Sequence, residues 1–248
     1  LPARRHGQCV DDATAADHLC LSGFEFQDTQ VVTYPSVVAE IVAACQRLGV
    51  HCVFGLAAAV DGQRFNAALL VEPSGKVSRY IKTHLPELGF DNFATPGPDL
   101  PIFDTKIGKI GILICFDIRM PEACRLLMLR GADIVVLPTN WPTGAEISAD
   151  VISPARASEN RVFLATCNRV GTENGFTFVG RSGIFGLRGE ALARAGAEAE
   201  IIYADIDPLE ARNKRTVTVP GKHETTVDEA RRPDLYAELA DPRPIKPR

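Results

Sequence analysis

The residue in this sequence best placed to do chemistry is Cys115. It follows the short apolar run Ile110-Gly-Ile-Leu-Ile114, rich in β-branched side chains, which predicts a buried strand. Pro121 and Glu122 suit the first turn of a helix, because the N–H that proline lacks has no partner there and a carboxylate suits the helix dipole. The thiol therefore falls at a strand-to-helix elbow. Open α/β sheets present their ligand crevice at that edge, and nearby backbone N–H groups can stabilise a thiolate or an oxyanion. The competing reading of the same residue is a small buried hydrophobe. Lys82 is a second candidate. A lone lysine reads as a solvated charge, whereas an ammonium beside a reacting carbonyl would stabilise negative charge developing on oxygen.

The elements that must position these groups alternate in type. Pro35 can start a helix, with Val38, Ile41, Val42 and Cys45 at helical spacing and Gly49 to end it. Residues 50–58 read as a strand, and 65–71 with 77–82 read as a hairpin around Glu72-Pro-Ser-Gly75-Lys, so that Lys82 leaves a strand. After the elbow, Cys124, Leu126, Leu127 and Leu129 support a helix ending near Gly131. Residues 133–138 then predict a buried strand and 191–200 a turn region, while the resemblance set out below implies a helix end at 155–161 before a strand at 162–167, with later strands at 178–185 and 200–206. Pro208 starts a short helix through about Lys214, and residues 216–248 read as an extended tail able to pack across another subunit. There is no internal repeat and no domain boundary, so 1–248 reads as a single domain with an atypical segment over 1–20.

These motifs carry a resemblance. Gly111-Ile-Leu-Ile-Cys115-Phe-Asp117-Ile-Arg119-Met-Pro121-Glu122 resembles the nucleophile motif of the carbon-nitrogen hydrolase (nitrilase) superfamily, close to its amidase and N-carbamoyl amino acid hydrolase forms. Tyr80-Ile-Lys82-Thr-His84-Leu is similar to the superfamily's catalytic-lysine motif, and Arg231-Arg232-Pro233-Asp234-Leu235-Tyr236 gives a third match. The matches keep their order from about Leu21 to Tyr236. The resemblance implies an α/β fold, a four-layer α-β-β-α sandwich, in an enzyme that hydrolyses a non-peptide C–N bond through a cysteine thioester. It implies Cys115 as nucleophile and Lys82 as oxyanion stabiliser, and His84 reads as orienting its loop or hydrogen-bonding locally rather than as the base.

The same resemblance implies a second acidic residue in the loop 85–97, for which Glu87 and Asp91 are both candidates and the spacing to Phe93 and Pro96-Gly97 favours Asp91. The loop Thr139-Asn140-Trp141-Pro142 would border the substrate pocket. Either a backbone N–H there assists the oxyanion or Trp141 forms an apolar wall. Leu21-Ser22-Gly23-Phe24 is similar to a family segment that a catalytic glutamate precedes by three residues, yet Asp17 and His18 occupy the corresponding places. The family's first strand and long helix are expected to be shortened or absent here. Three readings of His18 stay open: a by-product of a deletion, a surface residue near the chain start, or a substitute base suited to neutral pH.

Composition sets the outer limits. The chain of 248 residues is 46% hydrophobic and 23% charged, ordinary values for a globular protein with one large core. A net charge of −4 gives no basic footprint for nucleic acid. No apolar run is long enough to predict a membrane span. Seven cysteines without a CxxC pair point to reduced thiols, no zinc site and a cytoplasmic setting. No cofactor is expected. The expected partners are a small amide or carbamoyl substrate and further copies of the chain, as a homodimer or larger homo-oligomer. The rival function is a family remnant that lacks the glutamate base and keeps a binding or oligomerisation role.

Overall fold

The computed structural model of the protein describes residues 24–27, 31–33, 36–60, 62–173 and 175–241. Strands Phe24–Gln27 (β1), Val31–Thr33 (β2), Cys52–Val60 (β3), Gln63–Val71 (β4) and Val77–Ile81 (β5) form one sheet in the order β2-β1-β3-β4-β5, with helix Ser36–Leu48 (α1) between β2 and β3. The second sheet begins with Ile102–Thr105 (β6) and Gly108–Ile112 (β7). It continues through Ile134–Thr139 (β8) and Phe163–Asn168 (β9). Strands Val170–Glu173 (β10) and Phe176–Val179 (β11) leave it as a separate antiparallel pair before Gly183–Phe185 (β12) and Ala191–Arg194 (β13) complete it. Its order is β13-β12-β9-β8-β7-β6. The central strands β7, β8 and β9 run parallel, linked by crossover helices Pro121–Leu129 (α2) and Ser153–Asn160 (α3).

The side-chain alternation of the strands builds four layers. Leu56, Ala58, Ala67 and Leu69 face Val38 and Val42 of α1, while Ala68, Leu70 and Tyr80, one step out of phase, join the core shared with the second sheet. Gly55 and Pro138 meet between the sheets, where a Cβ on Gly55 would stand 3.9 Å from the proline Cβ. On the outer face of the second sheet, Gly111 lies against α2. A Cβ there would come within 2.9 Å of Leu127 Cδ1, and Leu127 is wholly buried. The absent side chain is what lets the helix seat so closely over the strand. The result is the α-β-β-α sandwich.

Several elements differ from the sequence expectation. The strand before Cys115 spans 108–112 rather than 110–114, although Leu113 and Ile114 are both buried. The apolar run outlasts the strand because the elbow itself lies in the core. Residues 178–185 form two strands in different sheets instead of one, divided where Gly180 and Arg181 take φ of 62° and 56°. Ala191–Arg194 is a strand paired with β12 rather than a turn. Residues 200–206 keep the strand-like alternation, with Ile201 and Tyr203 exposed, but join no ladder. The short helix after Asp207 is a 3-10 turn over Pro208–Arg212, capped by Asp207 Oδ1, which accepts from Leu209 N. Beyond it, Arg215–Val219 (β14) and His223–Thr226 (β15) form a hairpin, followed by the short helix Ala237–Ala240 (α4). Among the described residues no helix is long and apolar enough to cross a membrane.

Candidate active site

The parallel strands bring their carboxyl ends to one edge of the second sheet. Cys115 follows β7 there, Asn140 and Trp141 follow β8, and Asn168 ends β9. This is the edge at which such sheets gather ligand-binding groups. Cys115 opens a 3-10 turn, Cys115–Arg119, that leads into α2. Its φ is 47°, the left-handed region, which costs a non-glycine residue on the order of 1–3 kcal/mol and persists only where the surroundings enforce it. The chain thus doubles back sharply at the thiol, and Cys115 stays partly exposed while Leu113, Ile114, Asp117 and Ile118 around it are buried.

Two sets of hydrogen bonds hold this turn. From inside, Asp117, with no exposed surface, accepts through Oδ2 from Ile114 N at 2.8 Å and from Tyr80 Oη at 2.7 Å. Its Oδ1 accepts from His84 N at 3.0 Å and Thr83 Oγ1 at 3.3 Å, and lies 2.8 Å from His84 Nδ1. Burial, followed by the neighbouring Asp117 charge, pushes the Tyr80 phenol well above its ordinary pKa, so it stays a donor. From outside, Arg156 of α3 donates to the carbonyls of Ile118 at 3.0 Å and Arg119 at 3.3 Å while pairing with Glu159 at 3.0 Å. The charges near 155–161 therefore clamp the elbow as well as their own helix.

Lys82 continues β5, its N–H donating to Asn66 O at 2.8 Å, and its side chain is only 1% exposed. The ammonium pairs with Asp91 Oδ2 at 2.5 Å, and Asp91 Oδ1 accepts from Asn66 Nδ2 at 2.8 Å. The two carboxylate oxygens thus tie the lysine head to Asn66 on the neighbouring strand β4. A buried charge needs such pairing, since an isolated ammonium would be strongly disfavoured there. Asp91 sits in a 3-10 turn, Gly89–Phe93, inside the loop 85–97, whereas Glu87 is exposed. Gly97 closes that loop by donating to Lys82 O at 2.8 Å, and a Cβ at Gly97 would fall 2.2 Å from Ile81 O.

Trp141 is 3% exposed, with its N–H donating to Asn168 Oδ1 at 2.7 Å, while Asn140 is exposed. Asn168 Nδ2 also donates to Gly180 O at 2.6 Å, and Asn168 N donates to Ser182 Oγ at 2.9 Å. One asparagine therefore ties three segments at the edge. His18 lies outside the described residues, as does Asp17. The described residues hold no cluster of histidine, cysteine or acidic side chains able to bind a metal ion. Chemically, the arrangement offers a partly exposed thiol on a strained turn and a buried ammonium with a fixed counter-ion.

Sequence reasoning singled out Cys115, Lys82 and Asp91 but passed over Asn66, Tyr80 and Asp117 as structural participants. Tyr80 and Asp117 each lie two residues from a candidate catalytic residue, inside quoted motifs, and that proximity was the available signal. Asn66 carries no local signal, because its role depends on β4 pairing with β5.

Comparison with known proteins fits this geometry. Residues 19–216 match the carbon-nitrogen hydrolase family. A probable nitrilase of Schizosaccharomyces pombe is 36% identical over 180 residues, covering 72% of this chain; the chain spans 64% of that relative's length. The fold is similar to a carbon-nitrogen hydrolase from Helicobacter pylori G27, with a TM-score of 0.73 and 28% identity over 82% of this chain and 75% of that one. It is also similar to a mutant amidase from Nesterenkonia sp. AN1 carrying the acetamide moiety of fluoroacetamide on its active-site cysteine, with a TM-score of 0.69 and 25% identity over 81% and 72% of the two chains. The sandwich fold is thus shared with known carbon-nitrogen hydrolases, and the chain belongs to the carbon-nitrogen hydrolase family.

Proposed function

We propose that the protein hydrolyses a linear amide or an N-carbamoyl compound, with Cys115 as nucleophile and Lys82 stabilising the oxyanion. The observation that carries this reading is the left-handed backbone of Cys115 at a strand-to-helix turn, which presents the thiol while its neighbours stay in the core. The thiolate adds to the carbonyl carbon, and the C=O electron pair moves onto oxygen, where the Lys82 ammonium and backbone N–H groups offset its charge. The pair returns, the C–N bond breaks, and ammonia or an amine leaves with a proton delivered by the base. Water then adds to the thioester, releasing the acyl group as an acid and restoring the thiol. Asp91 holds the lysine head in one place, which suits it to electrostatic stabilisation. The base that takes the thiol proton is the least defined group, and His18 is the candidate the sequence offers. Asn140 and Trp141 are assigned to the pocket wall.

The preference for an amide or carbamoyl group over a nitrile rests on the Cys-Phe-Asp-Ile-Arg-Met-Pro-Glu form of the elbow and on the amidase carrying an acetamide moiety on its cysteine. The test is ammonia release from short amides, ω-amides, N-carbamoyl amino acids and matched nitriles, in the wild type and in Cys115→Ala. Turnover of amides that vanishes in the variant supports the reading. Faster turnover of a nitrile than of its matching amide sinks the substrate assignment. Absence of all turnover in a correctly folded chain would favour a remnant with a binding role.

A further inference from the structure

We infer that Asp117 is a positioning residue: its single buried carboxylate holds the nucleophile elbow and the lysine-bearing end of β5 in one register. The inference rests on the proposed roles of Cys115 and Lys82. Oδ2 of Asp117 takes one donor from each side, Ile114 N from the residue directly before the nucleophile and Tyr80 Oη from two residues before the lysine. Oδ1 takes its donors from the residues just after the lysine, Thr83 Oγ1 and the His84 N–H. The network closes on itself, since Tyr80 Oη lies 3.1 Å from Thr83 Oγ1 and accepts from Thr83 N at 3.2 Å, and Thr83 Oγ1 lies 2.9 Å from His84 Nδ1.

The two segments come from different sheets, so the ladder of neither sheet fixes their relative placement. A wholly buried carboxylate is costly unless its lone pairs are filled, and here only the correct juxtaposition of both segments fills them. A slip of either segment by the length of a hydrogen bond would leave unpaired donors around a buried anion. Asp117 therefore converts sheet packing, which tolerates small shifts, into a fixed relation between thiol and ammonium. It touches no reacting atom and acts through Ile114 and through the turn that sets the φ of Cys115.

The test compares Asp117→Asn and Tyr80→Phe with the wild-type chain. Asparagine keeps the shape but turns an N–H₂ toward donors, whereas Tyr80→Phe removes only the strand-side donor of Oδ2. The first readout is the rate of Cys115 alkylation by iodoacetamide, followed by mass spectrometry, with exposed Cys167 as internal reference. Asp117→Asn is expected to slow Cys115 at least about 10-fold relative to Cys167, and Tyr80→Phe less but in the same direction, because the turn that presents the thiol is no longer held through Ile114 N. The second readout is kcat and KM on whichever amide the wild type turns over. The expectation is a fall in kcat with KM within about 3-fold, and a Lys82→Met effect that shrinks in the Asp117→Asn background. A lower melting temperature with an unchanged or faster ratio of the two alkylation rates would mean that Asp117 only supports the fold, and would overturn the inference. If Asp117→Asn does not fold, Tyr80→Phe carries both readouts. If the wild type turns over nothing, the alkylation arm still decides the role of Asp117 while the proposed reaction fails separately.

Discussion

Cys115 and Cys124 are nine residues apart in sequence and share one segment of chain, yet the fold treats them in opposite ways. Cys115 sits on a left-handed turn, partly exposed, among backbone groups at a strand end. Cys124 lies within α2 with no exposed surface, its thiol 4.0 Å from Arg156 O and pushed up to about 12, burial being the largest cause. The difference teaches that thiol chemistry is conferred by the backbone and its electrostatics rather than by the residue. Cys124 behaves as a small hydrophobe filling space beneath the helix.

The largest effect expected from breaking this contrast is Cys115→Ala, which should lower turnover by at least about 10³-fold, whereas Cys124→Ala should leave kcat within about 2-fold. Equal losses in the two variants, measured as ammonia release, would erase the distinction. Next comes the partner that only the reactive side possesses. Lys82→Met should cost on the order of 10²-fold in kcat and about 3 kcal/mol of stability, because Asp91 is then left buried without its cation. Denaturant midpoints read beside the kinetics check both halves.

Smaller is the effect of Gly97→Ala. Its methyl would strike Ile81 O, so the loop carrying Asp91 must shift, at a cost of about 1–3 kcal/mol and several-fold in kcat, with α2 and Cys124 untouched. Kinetics together with protection of Cys124 from alkylation would show whether the disturbance stays local. The smallest effect sharpens the comparison through pH. Burial pushes the Cys124 thiol up from its ordinary 9.0 to about 12, so its neutral form is the one the fold favours. The stability it contributes is therefore complete below about pH 9 and is lost as pH rises from there toward 12. At pH 8, iodoacetamide should label Cys115 and Cys167 in the native chain and Cys124 only after unfolding; early labelling of Cys124 would contradict its burial.

The sequence disclosed the elements around Cys115 and Lys82 better than it disclosed the outlying strands. Cys115 and Lys82 stand in local motifs whose strand-end positions follow from apolar runs and from proline and glycine punctuation, so their elements were legible within two residues. Asp91 was favoured over Glu87 on spacing alone, and the structure buries Asp91 on Lys82 while leaving Glu87 exposed. Residues 178–185 were misread as one strand because the break rests partly on Arg181 adopting positive φ, which no side-chain pattern announces. Residues 200–206 alternate as a strand should, but alternation reports which face is wet and cannot report whether a neighbouring strand is there to pair. Asn66 and Asp117 were missed as participants for the same reason. Apart from Ile114, three residues before Asp117, their partners lie 25 to 37 residues away and are brought near only by the sheets.

The knot at Asn168 has a practical consequence for anyone wishing to redesign the pocket. That one side chain takes the Trp141 N–H and donates to the Gly180 carbonyl, while its backbone N–H holds Ser182. The loop after β8 is therefore anchored at a residue 8% exposed, whereas exposed Asn140 takes no part in that anchoring and exposed Thr143 holds instead to Thr177 O, through its backbone N–H at 2.8 Å and its Oγ1 at 3.2 Å. With Asn140 on the pocket wall as proposed, diversity at that position should alter substrate choice while the anchor stays whole, whereas substitution of Asn168 should loosen the loop itself. The molecule thus separates a part that tolerates variation from a part that does not, and the division runs between adjacent residues, Asn140 on one side and Trp141 on the other.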